Sequence, residues 1–161
     1  MTDLTQEFLH SIFEYKDGVL YNKVDRLTSK KGCAAGYLRK NGYEQIKISG
    51  KAYLTHRLIY IMFFGTAPDF IDHKDGNRNN NKIENLREAT RSQNGLNSCV
   101  PKNNTSGSKN VYWKKQFCKY QVVLTVNKKL RSFGYYKDFD LAELVAIEAR
   151  EKYCKEFARH K

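Results

Sequence analysis

The stretch that most constrains this chain is residues 70–97, Phe-Ile-Asp-His-Lys-Asp-Gly-Asn-Arg-Asn-Asn-Asn-Lys-Ile-Glu-Asn-Leu-Arg-Glu-Ala-Thr-Arg-Ser-Gln-Asn-Gly-Leu-Asn. Asparagine stands at 77, 79, 80, 81, 85, 94 and 97, and the apolar anchors are Phe70-Ile71, Ile83 and Leu86. An ordinary core segment is not built this way, so the polar residues themselves need an explanation. Asp72 and His73 are adjacent. A carboxylate is a hard oxygen ligand suited to Mg²⁺, and a neutral imidazole can take a proton from water near neutral pH. Asp75-Gly76-Asn77 reads as a tight turn, because Gly and Asn tolerate positive φ. His73 therefore sits near the end of one strand of a small hairpin. Asn81 or a neighbouring Asn can cap a following helix, expected over Lys82–Thr90. Asn85 falls inside that helix, where its amide can reach across and fix the hairpin, and Asn94 lies just beyond. One carboxylate (Asp72), one base (His73), one structural amide (Asn85) and one further oxygen ligand (Asn94) can then converge.

Those residues resemble the ββα-metal motif of HNH endonucleases, in the branch found in phage and intron-borne homing enzymes. The pattern is an Asp-His pair, a central Asn and a third ligand. Here eleven residues separate His73 from Asn85, and eight separate Asn85 from Asn94. Ile-Asp-His-Lys-Asp-Gly-Asn, Asn-Lys-Ile-Glu-Asn-Leu-Arg and Thr-Arg-Ser-Gln-Asn match the style of that branch. Asn94 stands where the family name has His, a variant common in the phage-type branch. The resemblance implies His73 as general base and Asn85 as the catalytic-site brace. It implies Asp72 and Asn94 as ligands of one Mg²⁺ or Mn²⁺ ion per active site, and it offers Lys74, Arg78 and Arg87 as phosphate contacts. It also suggests a phage or other mobile-element origin.

Charge supports the same direction. The 161-residue chain carries a formal +12. Residues 1–65 hold 10 Lys/Arg against 6 Asp/Glu, residues 66–98 hold 5 against 5, and residues 99–161 hold 14 against 6. No acidic residue occurs from Ala89 to Lys137. A neutral chemical centre between basic arms suits a nucleic-acid enzyme, since phosphate neutralisation supplies most non-specific affinity. Cys33, Cys99, Cys118 and Cys154 form no C-x-x-C pair, so no structural zinc site is expected and the thiols are expected to be free in a reducing cytosol. The N-terminal residues lack a basic and an apolar signal region, and the apolar run Leu58–Gly65 is too short to span a bilayer. The expectation is a cytoplasmic protein (host cytoplasm if phage-encoded), with double-stranded DNA as partner and no membrane, acting as a monomer or a dimer on DNA.

The expected fold class is α+β. Residues 4–15 read as a short helix with Leu4, Phe8, Leu9 and Ile12 on one face, followed by a hairpin around Asp17-Gly18. Residues 22–36 are a basic, phosphate-facing loop. Tyr37–Arg39, Tyr43–Ile48 and Lys51–Leu54 alternate as strands of a small antiparallel sheet, with Tyr43, Gln45 and Lys47 on one face and Ile46 and Ile48 on the other. His56–Gly65 is a buried helix ending at its glycine. The helix opens on His56, which is expected chiefly as a hydrogen-bonded structural side chain, a DNA contact or active-site brace being the alternatives. An HNH nuclease domain over 1–99, with its ββα-metal core at about 68–97, is followed by a linker at 100–109 and a second domain at 110–161.

The second domain reads as three strands and a helix: Val111–Lys114, Lys119–Val126, Leu130–Gly134, then a helix capped by Asp140 with Glu143 and running to about Phe157. Its stripe is Ala142, Val145, Ala146, Ala149, Tyr153 and Phe157. Asn-Val-Tyr-Trp at 110–113, Lys-Tyr-Gln-Val-Val-Leu at 119–124, Ser-Phe-Gly-Tyr-Tyr at 132–136 and the Ala-rich helix resemble the APETALA2-type DNA-binding domain. That resemblance implies a three-stranded antiparallel sheet packed on one C-terminal helix, with the open sheet face in the major groove. It places Tyr112, Lys114, Gln121 and Thr125 on the reading face, with Lys128, Lys129 and Arg131 as phosphate contacts. Arg131 stands where an inward apolar residue is usual. The function expected is a metal-dependent DNA endonuclease of the homing type, guided by the basic C-terminal sheet. The alternatives are a sequence-specific DNA-binding regulator with an inactive HNH remnant, and an RNA-binding protein.

Overall fold

Asp17 and Gly18 both take positive φ, +49° and +88°, the pairing that a two-residue hairpin turn requires. Around them β1 (Phe13–Lys16) pairs antiparallel with β2 (Val19–Asn22). Helix α1 (Gln6–Ile12) precedes them, capped by the Thr5 hydroxyl, which accepts the Phe8 N–H. The helix expected to run through residue 15 stops at Ile12, because Phe13 and Tyr15 are drawn into strand pairing. The computed structural model describes residues 4–26, 29–98, 100, 104–126 and 129–158. Its architecture is α+β, built from several small antiparallel sheets, and contacts divide it into two compact units, Met1–Ala89 and Thr90–Lys161.

In the first unit, β3 (Tyr37–Leu38), β4 (Glu44–Ile48) and β5 (Lys51–Leu54) form a three-stranded sheet in that order. The alternation holds: Ile46 and Ile48 are buried while Lys47 is exposed. Helix α2 (Thr55–Phe64) ends at Gly65, whose left-handed φ of +78° lets its N–H return to the Ile61 carbonyl. Leu58, Ile59 and Met62 of α2 pack with Leu9, Phe13, Leu20, Ile46, Ile71 and Leu86 to make the core. Then β6 (Ile71–His73) pairs antiparallel with β7 (Leu86–Glu88).

This corrects the expected helix over Lys82–Thr90. Ile83–Asn85 make a single 3₁₀ turn, Leu86–Glu88 form a strand, and helix α3 (Arg91–Leu96) begins only after Thr90. Two interactions account for the change. The Ile83 N–H donates to the Tyr15 hydroxyl of β1 at 3.0 Å, holding the turn against the first hairpin. Leu86 then places its side chain in the core, which extended pairing with β6 allows. A Cβ at Gly18 would come within 2.9 Å of the Lys82 backbone nitrogen, so the hairpin and this turn meet backbone to backbone.

The second unit contains α3, capped by Thr90 in a reciprocal box with Gln93, and a sheet of β8 (Val111–Lys114), β9 (Lys119–Val126) and β10 (Lys129–Tyr136). Helix α4 (Phe139–Cys154) lays Ala142 and Ala146 against Val111 and Val122, and Ala149 against Leu124. The small residues of the stripe are what allow this close packing. Strand β10 is longer than expected and carries a bulge between Ser132 and Gly134, which resets its register. The cap of α4 is Asp138, whose carboxylate accepts the Leu141 N–H at 2.7 Å; this corrects the assignment to Asp140, which lies inside the first turn.

Candidate active site

Strand β6 is buried along its whole length, and its last two residues are Asp72 and His73, 3 % and 4 % exposed. A carboxylate and an imidazole withdrawn from water this far need partners. The cross-strand register sets Arg87 of β7 directly opposite Asp72. Its Nε and Nη2 both donate to Asp72 Oδ2 at 2.8 Å. Arg87, expected at a phosphate, is therefore bound to the carboxylate it faces. His73 Nε2 lies 3.1 Å from Asn81 Oδ1, and the Asn81 amide Nδ2 donates to Glu44 Oε2 on β4 at 3.3 Å. The His56 ring meets the His73 ring edge-on at 5.0 Å, and Tyr43 lies 6.1 Å from it.

The asparagine-rich loop between β6 and β7 is ordered around one carboxylate. Asp75 Oδ1 accepts the Asn77 N–H and the Asn85 amide, and Oδ2 accepts the Asn80 amide at 2.7 Å. Asn85 also donates to the Asn80 carbonyl and accepts the Asp75 N–H. Its amide ties both ends of the loop, although it sits at the end of a 3₁₀ turn and not inside a helix. Burial works to raise the Asp75 carboxyl, but the donors from Asn80, Asn77 and Asn85 outweigh it and hold the group below its ordinary range. Lys74, exposed, donates to the Glu84 carbonyl, while Arg78 donates to the Asn41 carbonyl and covers the Tyr43 ring.

Burial also sets the protonation of the histidines. His56 is held down at about 3, by desolvation first and then by the positive charge that His73 and Arg57 would set against it. Its Nδ1 finds no hydrogen-bond partner among the described residues. His73 is lowered by burial as well; Asn81, Asp75 and Asp72 pull the other way without overcoming it, and Arg78 adds to the lowering. A neutral imidazole at neutral pH is what a proton acceptor requires.

Three residues in this cluster, Tyr43, Glu44 and Asn81, are not expected as site residues from the sequence, and His56 is expected there only as the alternative to a structural role. Asn81, expected as a helix cap, is 2 % exposed and turned inward. The only local signal for it is its place at the end of the Asn run. Glu44 carries no local signal at all, because its role depends on β4 lying beside the loop.

Of the remaining expected residues, Asn94 is half-buried on α3 in the second unit. Tyr112, Lys114, Gln121 and Thr125 share the sheet face turned away from α4. The register adds Lys119 opposite Lys114, and Leu130 opposite Thr125. Arg131 lies across from Leu124, on the α4 side, with its guanidinium 5.1 Å from the Tyr153 ring. Lys129 is exposed at the start of β10, and Lys128 lies outside the described residues.

The matching family model is that of HNH endonucleases, over residues 53–96, the span from β5 through α3. The chain is also 37 % identical to Protein 3.8 of Escherichia phage T7 over 92 residues, 56 % of this chain and 74 % of that protein. The chain carries an HNH endonuclease domain at residues 53–96 and belongs to the same family as that phage protein. No solved structure matches it. The HNH domain implies a nuclease acting on DNA, and the matched span includes Asp72 and His73 at the end of β6.

HNH nucleases generally use a divalent ion, and the donor chemistry here suits one. Asp72 offers a carboxylate already oriented by Arg87. Among the described residues no three His, Cys, Asp or Glu side chains converge. No helix among the described residues is long and apolar enough to cross a membrane.

Proposed function

We propose that the protein is a metal-dependent DNA endonuclease of the homing type, with His73 as its general base. The observation that carries this reading is the pairing of Asp72 and His73 on a buried strand inside the HNH-matched span, with His73 held neutral by burial. His73 takes the proton from a water that attacks the scissile phosphate in line. The phosphorus–oxygen bond on the far side breaks and the leaving oxygen takes up a proton. Asn85 keeps the β6–β7 loop closed around this position through its bonds to Asp75 and Asn80. We assign Asp72 and Asn94 as the ligands of one Mg²⁺ or Mn²⁺ ion. That ion would supply Lewis-acid stabilisation of charge developing on the phosphate.

Residues 110–161, within the second unit, are read as the APETALA2-like guide domain. Its open sheet face carries Tyr112, Lys114, Lys119, Gln121 and Thr125. Like charges directly opposite on a sheet are unfavourable in isolation. Lys114 faces Lys119 across the register, and a bound phosphate backbone relieves their repulsion. Arg131, engaged with Tyr153 on the other side, is left out of this face, and the HNH domain at 1–99 and linker at 100–109 keep their place in the proposal.

The test is incubation of supercoiled plasmid with the protein, in Mg²⁺ or EDTA, beside His73→Ala. Nicked or linear product that requires the ion and is reduced about 100- to 10,000-fold in the variant is the expected result. Wild-type cleavage by the variant at unchanged DNA binding removes His73 as the base. Specific DNA binding without any cleavage points instead to a regulator.

A further inference from the structure

The buried contacts around His73 include one feature that the proposed reaction does not use: a chain of side chains running from Glu44 through Asn81 to the imidazole. We propose that Asn81 is a positioning residue which, anchored by Glu44, locks His73 in the tautomer protonated at Nε2. The catalytic half of this inference rests on the nuclease reading above; the tautomer half does not.

A primary amide has one end that only accepts and one that only donates. A carboxylate accepts, so the Glu44 oxygen 3.3 Å away fixes the NH₂ end of Asn81 toward Glu44. The carbonyl end must then face His73, where Oδ1 lies 3.1 Å from Nε2. An oxygen acceptor at that distance requires the proton on Nε2, which puts the imidazole lone pair on Nδ1. Asn81 is 2 % exposed and His73 4 %. Little water can compete for either group. The ring cannot readily rotate away either, because His56 meets it edge-on at 5.0 Å and Tyr43, the residue before Glu44, lies at 6.1 Å. Glu44 is itself partly withdrawn from water, which raises its carboxyl, while the Asn81 amide and the Thr55 hydroxyl pull it back. Partners of this kind, one bond behind the reacting group, fix both tautomer and ring angle.

Long-range ¹⁵N–¹H correlation spectra of the full chain, taken where imidazole is neutral, read the tautomer directly. The wild type is expected to show His73 with a protonated Nε2 and a pyridine-type Nδ1. Asn81→Leu, which keeps the bulk and removes the acceptor, is expected to give a mixture of tautomers. Its single-turnover cleavage rate should fall about 10- to 100-fold while DNA affinity stays within twofold.

Asn81→Asp alone sets a carboxylate against Glu44 and is expected to lose rate similarly. Combined with Glu44→Gln it regains both an acceptor for Nε2 and a donor for the new carboxylate, and the double variant should return to within a few-fold of wild type. That rescue carries the test if Asn81→Leu does not fold. A proton found on Nδ1 in the wild type, an unchanged tautomer and rate in Asn81→Leu, or no rescue in the double variant overturns the proposal. If the spectra behave as expected but the wild type cuts no DNA, the nuclease reading fails and the tautomer lock stands.

Discussion

The two units bury polar side chains to different ends. In the first, Asp72, His73, His56, Asn81 and Asn85 are all buried around the β6–β7 loop, and two of them are imidazoles pushed toward neutrality. In the second, the buried polar residues among those described are Asn97, Ser108, Lys109 and Arg150, and the two cations serve the backbone: Lys109 donates to the Leu96 and Ser98 carbonyls, and Arg150 to the Lys109 carbonyl. The second unit keeps its distinctive polar groups on an open sheet face instead. Burying a titratable group costs free energy unless its polar atoms are partnered; the cations of the second unit find carbonyls, whereas His56 Nδ1 finds no partner among the described residues. A binding face has no such need, since phosphate contacts are made at the surface. The contrast sets the buried histidine cluster of the first unit apart from the exposed polar sheet face of the second.

The largest effect expected from this contrast is at the Asp72–Arg87 pair. Their side chains are 4 % and 12 % exposed. Asp72→Ala strands a guanidinium in a nearly dry site, and breaking such a pair typically costs about 3–5 kcal/mol. Urea melts should therefore show a large loss of stability together with the loss of ion-dependent cleavage. A variant that loses cleavage but keeps wild-type stability would mean that Arg87 does not depend on Asp72.

The next effect is a pH dependence. Folded His56 titrates at about 3, against about 6.5 for an unperturbed imidazole. Between those values the unfolded chain takes up a proton that the folded chain refuses. The contribution is fully present above about pH 6.5 and is lost as the pH falls toward about 3, with a slope of roughly 1.4 kcal/mol per pH unit for one proton. The lowered His73 acts in the same direction. Comparing unfolding free energies at about pH 7 and about pH 5 samples this slope above most carboxylate titrations. His56→Gln should flatten it; an unchanged slope would place the acid sensitivity elsewhere and weaken the contrast.

Much of this was legible in the sequence, and the limits have physical causes. The hairpin at Asp17-Gly18, helix α2 with its Gly65 cap, strands β8 and β9 and the alanine stripe of α4 are local patterns, and each appears where expected. Strand β7 is not local. Leu86–Glu88 has only three residues, too few to show a period, and is a strand because β6 lies beside it. Arg87 consequently reads as a phosphate contact in the sequence, whereas in the structure it pairs with Asp72. Asn81 has the composition of a cap or turn, and only the position of Glu44, 37 residues away, makes it part of a buried relay. Arg150 falls within the small-residue helix yet is 2 % exposed, because the carbonyl it satisfies belongs to Lys109.

The open sheet face of the second unit, proposed above to bind DNA, predicts a smaller effect of a different kind. Lys114→Ala should reduce DNA affinity on any sequence and lower the slope of log affinity against log salt by about 1, without changing the cleavage rate of bound DNA. Gln121→Ala, on the same face, should leave the salt slope alone and change preference among sequences. If both variants alter the salt slope equally, the face does not divide positioning from reading.

The smallest effect concerns α4, which carries that sheet. Asp138 and Asp140 both lie at the start of the helix, where helix-terminus electrostatics favour either. Only Asp138 has an extended backbone, at φ −82° and ψ 130°, with its carboxylate on the Leu141 N–H. Asp138→Ala should therefore cost about 1 kcal/mol in the unfolding of the second unit. Asp140→Ala removes a charge from the first turn, worth about 0.3–1 kcal/mol at low salt, and added salt should erase most of that. The hydrogen-bonded cap should persist in salt. Equal, salt-sensitive losses at both positions would mean that charge near the helix end, and not the bond to Leu141, holds the start of α4.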